Sequence, residues 1–255
     1  MKTTGNTILV TGGGSGIGRA LAEAFLALGN EVIIAGRRES ILMQVVAANP
    51  GLSYVVLDTS DAADSTQVAE QLIFEYPKLN AVIHSAGIMR GESLRSGTTQ
   101  LEVTVATNLI GPIRLDSLLL PHFLKQPNAA IITVSSGLAF VPLASTPSYC
   151  ATKAAVHSYS QSLRYQLKDT GVKVHELAPP YVQTELMGER QLNDPHAMPL
   201  QDFIDEVMNI FQNSPDAEEI LVERVKPLRF AEANGGYAEF FKHFNDQMVA
   251  TRIGE

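Results

Sequence analysis

Apolar residues in this chain fall into two patterns that alternate along its length. Short runs rich in valine and isoleucine read as buried parallel strands. Between them, apolar positions recur every three or four residues, the spacing of helices that bury one face. Strands are expected at 7–11, 31–35, 54–57, 81–83, 130–134 and 172–177. Helices are expected at 19–28, 39–49, 62–76, 98–124 and 147–169, with stops at Pro50-Gly51, Pro77 and Gly171. Pro112 interrupts the fourth helix, so a kink is expected near Gly111-Pro112. This rhythm predicts an α/β fold, a Rossmann-like doubly wound parallel sheet in three layers (α/β/α), with residues 1–255 as a single domain. After residue 215 the rhythm fails. Residues 216–233 read as a helix with no seventh strand, and the C-terminal edge of the sheet is expected to be atypical.

Composition narrows the class of function. At 255 residues, 45% hydrophobic and 18% charged, the chain is an ordinary globular domain. A net charge of -8 gives no basic footprint for nucleic acid. No run approaches the ~18 apolar residues of a membrane span. The first residues lead into a strand rather than a signal-peptide core, so a cytoplasmic location is expected. Cys150 is the single cysteine, which excludes an intramolecular disulfide. No metal site is read from the sequence.

Candidate chemistry begins at Tyr149 and Lys153, four residues apart and so on one face of the fifth helix. A phenol ionises near ~10 when unperturbed, and a neighbouring ammonium is expected to lower that value. The same spacing also occurs on many surface helices. The glycine cluster Gly12, Gly16 and Gly18 lies between the first strand and the first helix. There it is either a mobile loop or a cradle in which backbone and helix N-terminus meet a pyrophosphate. At the end of the second strand, where a ribose-binding carboxylate is usual, stand Gly36, Arg37 and Arg38. Two guanidinium groups suit a 2′-phosphate, and the bland alternative is a solvated loop pair. Ligands of such sheets bind beyond the carboxyl ends of the strands. That rule gathers the glycine loop, Arg37, Asp58, Ala86-Gly87, Ser136 and Pro179 on one rim.

These residues resemble the short-chain dehydrogenase/reductase family, in its short single-domain branch. Its Thr-Gly-x-x-x-Gly-x-Gly pattern is matched by Thr11, Gly12, Gly16 and Gly18, and its catalytic set by Asn108, Ser136, Tyr149 and Lys153. Pro179-Pro180-Tyr181-Val182-Gln183-Thr184 matches part of a Pro-Gly-x-Val-x-Thr segment. The resemblance covers about residues 5–190. The segments Gly-Asn-Thr-Ile-Leu-Val and Gly-Arg-Arg-Glu-Ser are further similar to bacterial oxidoreductases grouped as DltE-like.

The resemblance implies hydride transfer between NADP(H), preferred over NAD(H), and a small carbonyl or secondary alcohol. Tyr149 would be the general acid/base, Ser136 would hold the substrate oxygen, and Lys153 would lower the tyrosine pKa and bind the nicotinamide ribose. Asn108 would hold a water linking Lys153 to solvent. Val182 and Thr184 would contact the carboxamide and Asp58 the adenine, with Ser15, Ile17, Thr59, Ala86, Gly87 and Pro179 completing the cofactor site. A carbonyl reductase or alcohol dehydrogenase acting as a homo-oligomer, dimer or tetramer, is the expectation. A non-catalytic NADPH-binding regulator is the alternative, against which the intact catalytic set argues. Residues 185–215 are expected to form a substrate lid, although their Met and Phe positions also suit a core, and 216–255 a helical C-terminal segment. Leu138, Phe140, Val141 and Leu143 are expected along the opposite wall. Two departures stand out. Pro180 replaces a glycine, and the family's Asn-Asn-Ala-Gly reads His84-Ser85-Ala86-Gly87, a repacked structural spot or an acid–base histidine.

Overall fold

Ile8 and Val10 face one side of a sheet and Leu9 the other, and helices close both sides. A computed structural model describes residues 1–97 and 99–253, with side chains to residue 248. The strands are β1 (Thr7–Thr11), β2 (Glu31–Gly36), β3 (Leu52–Val56), β4 (Leu79–His84), β5 (Ala129–Val134), β6 (Val172–Leu177) and β7 (Glu219–Ile220). All pair in parallel in the order β3-β2-β1-β4-β5-β6-β7. The order reverses between β1 and β4, which opens a crevice at their carboxyl ends.

The helices are α1 (Gly16–Ala27), α2 (Glu39–Ala48), α3 (Ala62–Glu75), α4 (Leu101–Val105), α5 (Gly111–Phe123), α6 (Pro147–Gln166), α7 (Glu189–Leu192), α8 (Leu200–Asn213), α9 (Lys226–Arg229) and α10 (Tyr237–Ile253). Helices α1, α2 and α8 cover one face of the sheet, and α3, α5 and α6 the other. The buried residues Gly18, Leu21, Ala22 and Phe25 of α1 follow the helical spacing that the sequence displays.

Four expectations change. A seventh strand exists: β7 pairs Glu219 and Ile220 with Glu176 and Leu177. Residues 216–233 are therefore no single helix but this strand, a 3-10 turn at Glu223–Val225 and the short α9. A two-residue strand is too short to display alternation, and its glutamate is held by a forked pair from Arg229 at 2.7 and 2.8 Å.

The irregularity in the fourth predicted helix precedes Gly111-Pro112. A π-turn over Ala106–Ile110 joins α4 to α5, and Pro112 sits at the start of α5. A proline has no N–H for the carbonyl four residues before it, so the ladder widens just there. Thr98, the expected start of this helix, lies outside the described residues.

The run Leu101–Phe123 is long and apolar enough to cross a membrane by length and composition, which a search for unbroken apolar runs overlooks. Here Leu115, Leu119 and Phe123 are buried against the sheet, and the polar Asn108 and Asp116 are buried with them.

The segment expected as a lid divides in two. Phe203, Val207 and Phe211 of α8 are core, with Phe211 meeting Phe25 of α1 edge-on at 5.8 Å. Only its first part, Glu185, Leu186, Met187 and Gln191, lines the cleft.

Candidate active site

The turn after β1 is built so that backbones can touch. Gly12 has φ of +70°, and a Cβ there would lie 2.8 Å from the Ala86 backbone. A Cβ on Gly18 would lie 2.5 Å from the Gly12 carbonyl oxygen. These glycines bring the start of α1 against the loop after β4, with Ala86 N–H donating to the Thr11 hydroxyl at 3.2 Å. The N-terminus of α1 then opens into a cleft of about 720 Å³. Free N–H groups and the positive end of the helix dipole suit a phosphate at that point.

The same cleft is lined by Ser15, Ile17, Arg37, Arg38, Asp58, Thr59, Gly87, Pro179, Val182 and Thr184, and by Ser136, Tyr149 and Lys153. Every cofactor-site residue expected from the sequence is therefore on one rim except Asn108, which lies beside it. Partial burial acts to raise the Asp58 pKa, but hydrogen bonds from the Ser60 hydroxyl (2.6 Å) and N–H (2.9 Å) and the Arg37 charge outweigh it and lower it.

Tyr149 and Lys153 stand one turn apart on α6, 7% and 6% exposed. The Lys153 Nζ is 5.5 Å from the Tyr149 ring centroid and donates to the Val134 carbonyl at 2.7 Å. The Ser136 hydroxyl oxygen accepts from Leu138 N–H at 3.1 Å, and its own hydrogen is left for another acceptor. The expected lowering of the tyrosine pKa is corrected here. Burial pushes the Tyr149 phenol up to about 12, with the facing Ser136 hydroxyl acting against that rise. Burial also brings Lys153 down to about 8, partly opposed by the charge of Glu176. Spacing on a helix predicts a neighbour; it does not predict how dry the neighbours are.

Asn108 ties the site together. Its Oδ1 accepts from Ile88 N–H at 2.9 Å, and its Nδ2 donates to the Ile88 carbonyl at 2.9 Å and the Thr152 hydroxyl at 3.3 Å. The Asn108 side chain is thus engaged, and Pro112 has no N–H to give to its main-chain carbonyl.

Gln191 is a residue that sequence reasoning missed. Buried under the cleft, its Nε2 donates to the Val182 carbonyl (2.7 Å) and the Thr184 hydroxyl (3.1 Å), fixing the segment expected to meet the carboxamide. It lies in an irregular stretch with no periodic signal. Of the four residues expected on the opposite wall, none lines the cleft. Leu138 and Leu143 join Tyr149, Cys150 and Met89 in a small apolar cluster with Phe244 and Met248 of α10. Val141 is buried, and the Phe140 ring meets His157 at 4.8 Å and Arg229 at 4.7 Å. His157, Glu176 and Glu219 offer ligand atoms within 4.8 Å of one another, yet the Arg229 guanidinium already pairs with Glu219.

Comparison with known proteins agrees with this architecture. Residues 6–195 match the sequence model of the short chain dehydrogenases. The chain is 41% identical over 253 residues to the uncharacterized oxidoreductase DltE of Bacillus subtilis (strain 168), covering 97% of this chain and 99% of that protein. Its fold is similar to a short-chain dehydrogenase from Streptomyces avermitilis (TM-score 0.81, 23% identity, 99% and 100% covered). It is also similar to a closed serine dehydrogenase complexed with NADP+ (TM-score 0.73, 26% identity, 80% and 88% covered).

Proposed function

Since the chain belongs to the short-chain dehydrogenase family and is an oxidoreductase, we propose that it uses NADP(H), in preference to NAD(H), to interconvert a ketone or aldehyde and the corresponding alcohol. The observation that carries this reading is convergence. The phenol of Tyr149, the Ser136 hydroxyl and the Lys153 ammonium open into the same cleft as the glycine turn and both arginines.

The residues fit the dinucleotide. The glycine turn, where a Cβ at Gly12 or Gly18 would collide with backbone, allows a pyrophosphate to approach α1. Arg37 and Arg38 favour a 2′-phosphate over a bare ribose hydroxyl. When bound, NADPH supplies the hydride. Tyr149, kept protonated by burial, is in the form that donates a proton to an alkoxide, which supports reduction as the favoured direction. Ser136 gives a hydrogen bond to the same oxygen as charge grows on it. Lys153, anchored on the Val134 carbonyl, has two further donors, one of which suits a ribose hydroxyl. Leu186, Met187 and Met89 provide an apolar surround, so a ketone with alkyl or aromatic groups suits the substrate end.

The test is loss of NADPH absorbance with a panel of carbonyl compounds. Turnover in the native chain and none in Tyr149→Phe is the expected result. NADPH binding with no turnover across the panel would overturn the enzyme reading in favour of a regulator.

A further inference from the structure

Lys153 lines the cleft and also a separate cavity of about 10 Å³, which is room for roughly one water-sized sphere. His84, Asn108, Thr133 and Tyr159 share that cavity. Two of its walls carry complementary groups. His84 Nε2 lies 2.7 Å from Asp116 Oδ1, and the other Asp116 oxygen accepts from the Tyr159 hydroxyl at 3.0 Å. An ionised carboxylate only accepts, so Nε2 carries the proton and Nδ1 of the neutral ring is a bare acceptor. That Nδ1 is buried and has no partner among the described residues. Lys153 gives one hydrogen to Val134 and has two more. A buried acceptor and a buried donor across a gap of this size is the setting in which proteins hold an ordered water.

We propose that one water in this cavity joins the Lys153 ammonium to Nδ1 of a neutral His84, which makes His84 a positioning residue for Lys153. The inference rests on the reading of Tyr149 and Lys153 as the reactive pair. The water accepts from Nζ and donates to Nδ1, while Asp116 holds the ring in the tautomer that can accept. The link lasts only as long as the ring is neutral. A second proton would turn Nδ1 into a donor, so the neutral ring is the form that takes part in the link. The titratable groups facing His84 are Asp116 from α5 and Lys153 and Tyr159 from α6. Its neighbours across the sheet, Thr11 and Thr133, bring hydroxyls only.

Nitrogen-15 spectra of the imidazoles in the full chain read this ring without any turnover. The expected result is an Nε2–H tautomer whose Nδ1 resonance shifts in Lys153→Met. A proton on Nδ1 of the neutral ring, or a spectrum unchanged in Lys153→Met, would overturn the link. In kinetics, His84→Asn should lower kcat about tenfold, the worth of one bridging hydrogen bond to Lys153. Native kcat in folded His84→Asn overturns the proposal. Should that variant not fold, the spectra of the native chain and of Lys153→Met decide the link by themselves. A chain that binds NADPH but reduces no carbonyl defeats the proposed function, while the spectra still decide the His84–Lys153 link.

Discussion

Lys153 donates to the main-chain carbonyl of Val134 across 2.7 Å, which ties the second turn of α6 to the carboxyl end of β5. The ammonium is thereby aimed past the phenol one turn away, 5.5 Å from its ring centroid. Tyr149 and Lys153 are two buried groups whose ordinary ionisations are pushed apart from the values that helix spacing alone suggests.

Tyr149→Phe keeps the ring in its apolar cluster and removes the proton. Turnover should fall by at least ~10²-fold, the range for loss of a general acid, with NADPH affinity kept within about twofold. Single-turnover absorbance and fluorescence titration measure the two separately. A variant that retains native turnover would remove the phenol from the mechanism.

The pH dependence follows from Lys153. Its ammonium is lost at about 8 in the folded chain against 10.5 for a free lysine. Between those values the unfolded chain holds a proton that the folded chain lacks, so this group adds stability as pH rises through that window. Activity runs the other way, and kcat/KM should decline above about 8 as the ammonium disappears. Glu176→Gln removes the charge that raises the lysine pKa, so the decline should start at lower pH. A base limb that stays in place would separate Glu176 from Lys153.

Arg37→Ala combined with Arg38→Ala should reduce the preference for NADP over NAD, chiefly through a higher KM for NADPH. Each charged hydrogen bond lost is worth about 1.5–3 kcal/mol, or roughly ten- to a hundredfold in affinity. Equal effects on both cofactors would mean that the arginines do not read the 2′-phosphate.

Gly18→Ala places a methyl 2.5 Å from the Gly12 carbonyl oxygen, and neither side is a flexible end. A cost of about 1–3 kcal/mol in denaturant unfolding is expected, together with weaker NADPH binding. Gly91→Ala, where no heavy atom lies within 4 Å, is the control and should leave stability unchanged.

Phe211→Ala separates core from lid. A buried aromatic that meets Phe25 at 5.8 Å should cost about 3–5 kcal/mol on truncation. If stability holds while the KM for substrate changes, α8 is acting as a lid after all.

Six strands were legible because each carries a short cluster of β-branched and other apolar residues, continuous in Thr7–Thr11 and alternating with polar residues at the start of Val172–Leu177. The Tyr149–Lys153 pair and the glycine turn were legible because their spacing is local, whereas Asn108 joins the candidate set only through the family resemblance. What stayed hidden depends on distance in space. Asp116 is the partner of His84 from 32 positions away, and no local pattern joins them. The Tyr149 shift depends on burial, which the spacing to Lys153 does not encode. Gln191 and β7 lie in stretches too short or irregular to show a period.

The brevity of β7 leaves much of the outer edge of β6, on the side away from β5, without a strand alongside, and Arg164 fills part of the gap. Its Nε donates to the Val174 carbonyl at 3.1 Å and its second nitrogen to the Glu218 carbonyl at 2.9 Å. The guanidinium thus serves as a lateral clasp where another rung would otherwise form, and Lys173 adds an exposed charge beside it. A margin sealed in this way offers poor purchase for edge-to-edge zippering by a foreign strand.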